Sequence, residues 1–142
     1  MQPSKYQILY IEDHDDTREL VTLVLEARGF KVTPGTTIKA ALKLANKQTF
    51  DLYLLDTWLP DGSGFDLCER IREFDAVSPI LFYSAAVLDS DKLKGIAAGA
   101  QGYLTKPCPF SELLGVVSKL IIRKEAPPTG EKHERSLATC AK

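Results

Sequence analysis

The residues best able to do chemistry stand at the ends of short apolar runs. Glu12-Asp13-His14-Asp15-Asp16 puts four carboxylates into five residues directly after the run 6–11, YQILYI. Asp56 closes the run 50–55, FDLYLL, and opens Thr57-Trp58-Leu59-Pro60-Asp61-Gly62. Ser84 closes 80–83, ILFY, and is followed by Ala85-Ala86; Lys106-Pro107 closes 102–105, GYLT. Brought together, Glu12, Asp13 and Asp56 would repel and raise one another's pKa unless a cation neutralised them. Mg²⁺ meets that need, being a hard, oxygen-seeking ion that keeps several waters beside one or two carboxylates. A lone ammonium, Lys106, and a small hydroxyl, Ser84, are the groups that steady the equatorial oxygens of a transferring phosphoryl group. The set points to a carboxylate nucleophile, Asp56, that forms an aspartyl phosphate.

These residues meet only if the runs that carry them lie side by side. Runs 6–11, 50–55, 80–83 and 102–105 are nearly continuous in apolar character, as strands buried on both faces of a parallel sheet must be. Run 30–33 alternates apolar and polar and suits an edge strand. Between the runs lie helical stripes. Leu20, Val21, Val24 and Leu25 precede Gly29 as a C-cap; Ile38, Ala41, Leu42 and Ala45 form the second stripe; Leu67, Cys68 and Ile71 form the third. Leu93, Ile96 and Ala97 make a fourth, broken by Gly95 and Gly99, and Leu113, Leu114, Val117, Leu120 and Ile121 make the fifth. Five strands each followed by a helix give an α/β fold, (βα)5, a doubly wound five-stranded parallel sheet with right-handed crossovers. In such sheets the ligand site lies at the carboxyl ends of the strands, which gathers Glu12, Asp13, Asp56, Ser84 and Lys106 at one rim.

Composition narrows the function. The chain has 142 residues, 44% hydrophobic and 26% charged, and a net charge of −1. That length suits one domain with a core large enough to need no staple, and the balanced charge excludes a strongly basic nucleic-acid footprint. No apolar run approaches the ~20 residues of a membrane span, and no signal-peptide h-region follows Met1. Cys68, Cys108 and Cys140 are odd in number and lack CxxC spacing, so neither a disulfide framework nor a zinc site is indicated. A soluble protein of a reducing cytoplasm is expected. The apolar patterning ends near Lys124, and Pro127-Pro128 and Gly130 follow. We expect a domain over 1–123 and a flexible tail over 124–142, in which Thr129 suits the cap of a short helix over 131–138.

With these motifs in place, the chain resembles a bacterial response-regulator receiver domain, the family that includes the chemotaxis response regulator, over about residues 5–123. Glu12-Asp13 resembles the family's acidic pair, with Glu in place of the commoner first Asp. LLDTWLPDGSG resembles LLD-x-x-LP-D-x-x-G, with Asp56 as the phosphoacceptor. Ser84 stands at the family's Ser/Thr, Tyr103 at its aromatic switch, and Lys106-Pro107 at its Lys-Pro. The resemblance implies a flavodoxin-like strand order 2-1-3-4-5 and Mg²⁺ held by Glu12, Asp13, Asp56 and the backbone carbonyl of Trp58. It also implies a sensor histidine kinase or histidine phosphotransfer protein as donor, and a downstream effector protein as receiver of the signal. On that reading the protein phosphorylates and dephosphorylates itself but is no stand-alone enzyme, and it touches neither nucleic acid nor membrane directly; homodimerisation stays open. Ser84 would move toward the phosphoryl group and Tyr103 would turn inward, remodelling the face of the fourth helix, fifth strand and fifth helix. Cys108 and the bulky Trp58 depart from the commonest pattern.

Other readings stand beside this one. Asp56 also suits a strand-terminal turn cap, and Asp15 and Asp16 suit a helix N-terminus. His14 reads as a solvated loop residue, Cys68 as a small core hydrophobe, and Tyr103 also suits ordinary core. Lys106-Pro107 after a buried strand suits a fixed, cis turn. Trp58 either leans over the phosphoryl site or packs the loop against Pro60 and the neighbouring helix. Two further functions compete: a phosphorylation-independent docking module on the same fold, and an aspartyl-phosphate phosphohydrolase of the haloacid-dehalogenase kind. The first would show lost ligands. The second needs an acid two residues after its nucleophile, where this chain has Trp58.

Overall fold

Buried apolar runs become strands because only a sheet covered on both faces hides every side chain of such a run. In the computed structural model, which describes residues 6–125, they are β1 (Gln7–Ile11), β2 (Lys31–Gly35), β3 (Leu52–Leu55), β6 (Ile80–Ser84) and β7 (Gly102–Thr105). All five pair in parallel, in the order β2-β1-β3-β6-β7. This is the expected 2-1-3-4-5 order, with β6 and β7 as the fourth and fifth strands. Between β3 and the next helix lies an element that no periodicity announces, an antiparallel hairpin of β4 (Trp58–Leu59) and β5 (Gly62–Ser63). The edge strand β2 begins one residue later than expected and runs through Pro34, whose missing N–H costs least at an edge.

The helices are α1 (Asp15–Ala27), α2 (Ile38–Lys47), α3 (Gly64–Arg72), α4 (Asp89–Ala98) and α5 (Phe110–Glu125). Alternation along the strands divides the core in two. Ile8, Tyr10, Leu54 and Tyr83 pack with Val21, Leu25, Val117 and Ile121 of α1 and α5. Leu9, Ile11, Leu55 and Phe82 pack with Ala41, Leu67, Ile71 and Ala98 of α2, α3 and α4. Cys68 lies wholly inside this second layer, where burial pushes its thiol up to about 12. Among the described residues no helix is long and apolar enough to cross a membrane.

Two expectations need correction. The stripe Leu93, Ile96 and Ala97 faces solvent, and α4 buries Gly95 and Ala98 instead. A Cβ on Gly95 would lie 3.2 Å from ring carbons of both Phe82 and Tyr103, so this helix meets the sheet through its backbone rather than through large side chains. The second concerns the domain's end. Helix α5 continues to Glu125, two residues past the expected boundary, and its last turn is tied down: Tyr6 donates to Glu125 Oε1 at 2.7 Å and Lys124 pairs with Asp51 at 3.5 Å. The expected tail beyond that point, with its short helix, lies outside the described residues.

Candidate functional site

The parallel ladder does not stop where the strands do. Glu12 N–H donates to Gly35 O at 3.0 Å, Asp56 N–H to Ile11 O at 3.1 Å and Lys106 N–H to Ser84 O at 2.8 Å. The residues that end β1, β3, β6 and β7 are therefore held in register at one rim. One carboxylate oxygen each from Glu12, Asp13 and Asp56 lies within 4.8 Å of the others. Glu12 is 1% exposed and Asp56 is buried, while Asp13 opens to solvent. The Lys106 ammonium reaches into this group, 2.5 Å from Glu12 Oε1 and 3.3 Å from Asp56 Oδ2, and sits 5.3 Å from the centre of the Tyr83 ring, a cation–π distance. The Lys106–Pro107 peptide bond is cis.

Glu12 is the most constrained acid of the set. Its carboxylate accepts from Lys106, from His14 N–H at 3.2 Å and from the Tyr10 hydroxyl at 3.5 Å. Burial pushes its pKa above the ordinary carboxylate value; the Lys106 hydrogen bond pulls it back and the Asp56 charge adds to the rise. The His14 side chain takes no part in the cluster: its Nδ1 accepts from Thr17 N–H at 3.3 Å and caps α1, a role its sequence position did not announce, and Asp15 and Asp16 fill the first turn beside it. Three clustered carboxylates with no sulfur or imidazole among them form a donor set for a hard ion such as Mg²⁺ rather than for zinc.

The loop after Asp56 is fixed by close approach and by a distant helix. Thr57 N–H donates to Asp56 Oδ1 at 2.7 Å, and Gly64 N–H donates to Thr57 O at 2.8 Å. A Cβ on Gly64 would fall 1.9 Å from the Asp56 carbonyl oxygen, so only glycine lets α3 start this near the Asp56 backbone. Asp61, at the tip of the hairpin, accepts from the N–H groups of Ile38 at 2.8 Å and Lys39 at 3.0 Å. Those bonds hold its carboxyl below the usual range and clip the hairpin to the N-terminus of α2. Trp58 is 66% exposed, so packing against Pro60 accounts for little of its surface.

On the β6 side, Ser84 is fully buried, and its Oγ lies 2.6 Å from Thr57 Oγ1 and accepts from Ala86 N–H at 3.0 Å. Tyr103 lies inward, 8% exposed, with its ring 5.8 Å from that of Phe82 and its hydroxyl donating to Ala86 O at 2.6 Å. Sequence reasoning missed Thr57. Its one signal was a hydroxyl directly after Asp56, just past the apolar strand β3.

A family model described as the response regulator receiver domain matches residues 8–118. Transcriptional regulatory protein CssR of Bacillus subtilis (strain 168) is 35% identical over 136 residues, which are 94% of this chain and 60% of that protein. The chain spans about half the length of the curated relatives it matches: 60% of CssR and 52% of the nisin biosynthesis regulatory protein NisR of Lactococcus lactis. The non-phosphorylated HemR receiver domain of Leptospira biflexa superposes with a TM-score of 0.79 at 33% identity, covering 87% of this chain and 98% of that one. A two-component response regulator from Clostridium difficile gives a TM-score of 0.82 at 26% identity, covering 85% and 99%.

Proposed function

The chain belongs to the response regulator receiver domain family, and from that premise we propose that it accepts a phosphoryl group on Asp56 from a phosphohistidine donor. The observation that carries this reading is the Asp56 carboxylate itself, which ends a central buried strand beside Lys106 and two further acids. In the transfer, an Asp56 carboxylate oxygen attacks phosphorus; the new P–O bond forms as the P–N bond breaks, and the imidazole leaves with the electron pair. Glu12, Asp13, Asp56 and the Trp58 carbonyl would hold Mg²⁺, which supplies positive charge against the phosphoryl oxygens. Lys106 pairs with one phosphoryl oxygen and Ser84 donates to another. Tyr103 then reports the change to the face formed by α4, β7 and α5, where an effector protein binds. The donor is a sensor histidine kinase or a histidine phosphotransfer protein, and the setting is the cytoplasm. The chain's own turnover is limited to gaining and losing this one group, and direct contact with nucleic acid or membrane forms no part of the scheme.

Acetyl phosphate with Mg²⁺ is expected to add one phosphoryl group to the protein, and none to Asp56→Asn, by intact mass. Equal incorporation in the variant would end the assignment. The docking-module alternative is weaker because every group the chemistry needs is present, and Trp58 stands where a phosphohydrolase of the competing kind needs its acid.

A further inference from the structure

The scheme above gives no task to the hydroxyl of Thr57. This side chain is fully buried directly after Asp56, and its Oγ1 is 2.6 Å from Ser84 Oγ, on the short side of the ~2.7–2.8 Å usual for hydroxyl pairs. Burying a hydroxyl costs free energy unless it is hydrogen-bonded, and valine would fill the same volume without that cost. A role in packing alone does not account for threonine here.

Proton counting does. A serine hydroxyl has one proton to donate and two acceptor positions. One acceptor position of Ser84 is filled by Ala86 N–H at 3.0 Å. If Ser84 donates to Thr57, its proton is committed inside the core. If Thr57 donates to Ser84, both acceptor positions are filled and the Ser84 proton is left for a third partner. We infer that Thr57 is a positioning residue that donates to Ser84 Oγ and so keeps the Ser84 proton available to the oxygens of a phosphoryl group on Asp56. This rests on the reading of Asp56 as phosphoacceptor. The same contact extends to the switch side. Ala86, which holds Ser84 through its N–H, accepts from the Tyr103 hydroxyl through its carbonyl at 2.6 Å. A continuous chain of hydrogen bonds thus runs from Thr57 through Ser84 and Ala86 to Tyr103.

The test is binding of beryllofluoride, a phosphoryl mimic, in the presence of Mg²⁺, measured by titration calorimetry on the full chain. Thr57→Val keeps the shape and removes the hydrogen bond that orients the Ser84 hydroxyl, which is then free to turn away from the phosphoryl site; it should bind the mimic about tenfold more weakly, the scale of one hydrogen bond to a charged partner. Its affinity for Mg²⁺ alone should match wild type, because the hydroxyl faces Ser84 and not the carboxylates. Thr57→Ser restores the hydroxyl and should rescue mimic binding, which a loss of packing would not allow. Ser84→Ala should bind as weakly as the double variant Thr57→Val/Ser84→Ala, because Thr57 acts through Ser84. Should Thr57→Val fail to fold, Thr57→Ala carries the same comparison. Wild-type or tighter binding by the hydroxyl-free variant, or additive losses in the double variant, would overturn the inference. Absence of Mg²⁺-dependent beryllofluoride binding by wild type would instead overturn the phosphoacceptor reading beneath it.

Discussion

Replacing Lys106 with methionine keeps most of the stem volume and removes the ammonium that holds the acidic cluster together. The charge lies 2.5 Å from Glu12 Oε1 and 3.3 Å from Asp56 Oδ2, with the lysine side chain 19% exposed and that of Glu12 1%. At an effective dielectric constant of about 20, the two contacts amount to roughly 7 and 5 kcal/mol of gross attraction. Desolvation of the three charged groups offsets most of that, and removing one partner of a buried ion pair costs about 3–5 kcal/mol. Asp13 opens the site to water on one side, so the lower end applies: we expect a loss of about 3 kcal/mol in EDTA at pH 7.5. For a domain of this size that is a fall of roughly 10 °C in melting temperature.

The pH dependence identifies Glu12 as the origin of the loss. Burial raises its folded pKa above the ordinary 4.5, against the pull of the Lys106 hydrogen bond. A carboxyl with a raised folded pKa adds stability that is fully present below its unfolded pKa and lost as pH rises through the folded one. Without Lys106 the folded pKa rises further, so the variant's deficit should be small near pH 5 and widen toward pH 8. Mg²⁺ should recover a large part of the deficit at pH 8 by replacing the missing charge. Thermal unfolding of both proteins at pH 5.5 and pH 8, with EDTA and with Mg²⁺, reads all three effects. Equal melting at pH 8 in EDTA, or a deficit that does not change with pH, would refute the claim that Lys106 neutralises a buried Glu12.

Two further outcomes are expected. Mg²⁺ affinity by titration calorimetry should fall at least ~10-fold in Asp13→Asn, which loses a ligand, and should rise in Lys106→Ala, which loses a competing cation; unchanged affinity in both would place the cation elsewhere. The aspartyl phosphate should be lost faster from Trp58→Asn than from wild type, because an indole two residues after the acceptor would crowd the water that must approach in line, whereas asparagine could hold it; equal phosphorylated lifetimes in the two folded proteins would leave the indole no part in hydrolysis.

The sheet was readable from the sequence because burial on both faces leaves a strand no polar positions, so each polar residue marks where a strand ends. That one constraint placed Glu12, Asp56, Ser84 and Lys106 at a common rim. It fails where packing does not run through side chains. Leu93, Ile96 and Ala97 have the spacing of a buried helix face, yet α4 comes so close to Phe82 and Tyr103 at Gly95 that even a Cβ would crowd the two rings, and the apolar stripe turns outward. The two-residue strands of the β4–β5 hairpin are too short to carry a period. Contacts between distant segments left no local trace either: Asp61 capping Ile38 and Lys39, and Thr57 meeting Ser84, depend on which loops the fold brings together.

The thin packing of α4 and the hydrogen bonds at Ser84 belong to one mechanical arrangement. A helix anchored by Gly95 and Ala98, with Leu88, Leu93 and Ile96 in solvent, has little apolar burial to hold it in place. Its contact with the sheet passes through the Phe82 and Tyr103 rings, and the Tyr103 hydroxyl is held by the Ala86 carbonyl. The Ala86 N–H in turn holds Ser84. On the proposed reading, a charge that redirects Ser84 would act on Tyr103 through a short path, and Tyr103 lies against the helix with the least burial to resist. Where large side chains lock a helix, as Val117 and Ile121 lock α5 against the opposite face, the same small displacement would be absorbed. The glycine that hid α4's packing from sequence analysis is, on the proposed reading, also what would let a change of one hydrogen bond reach the protein surface.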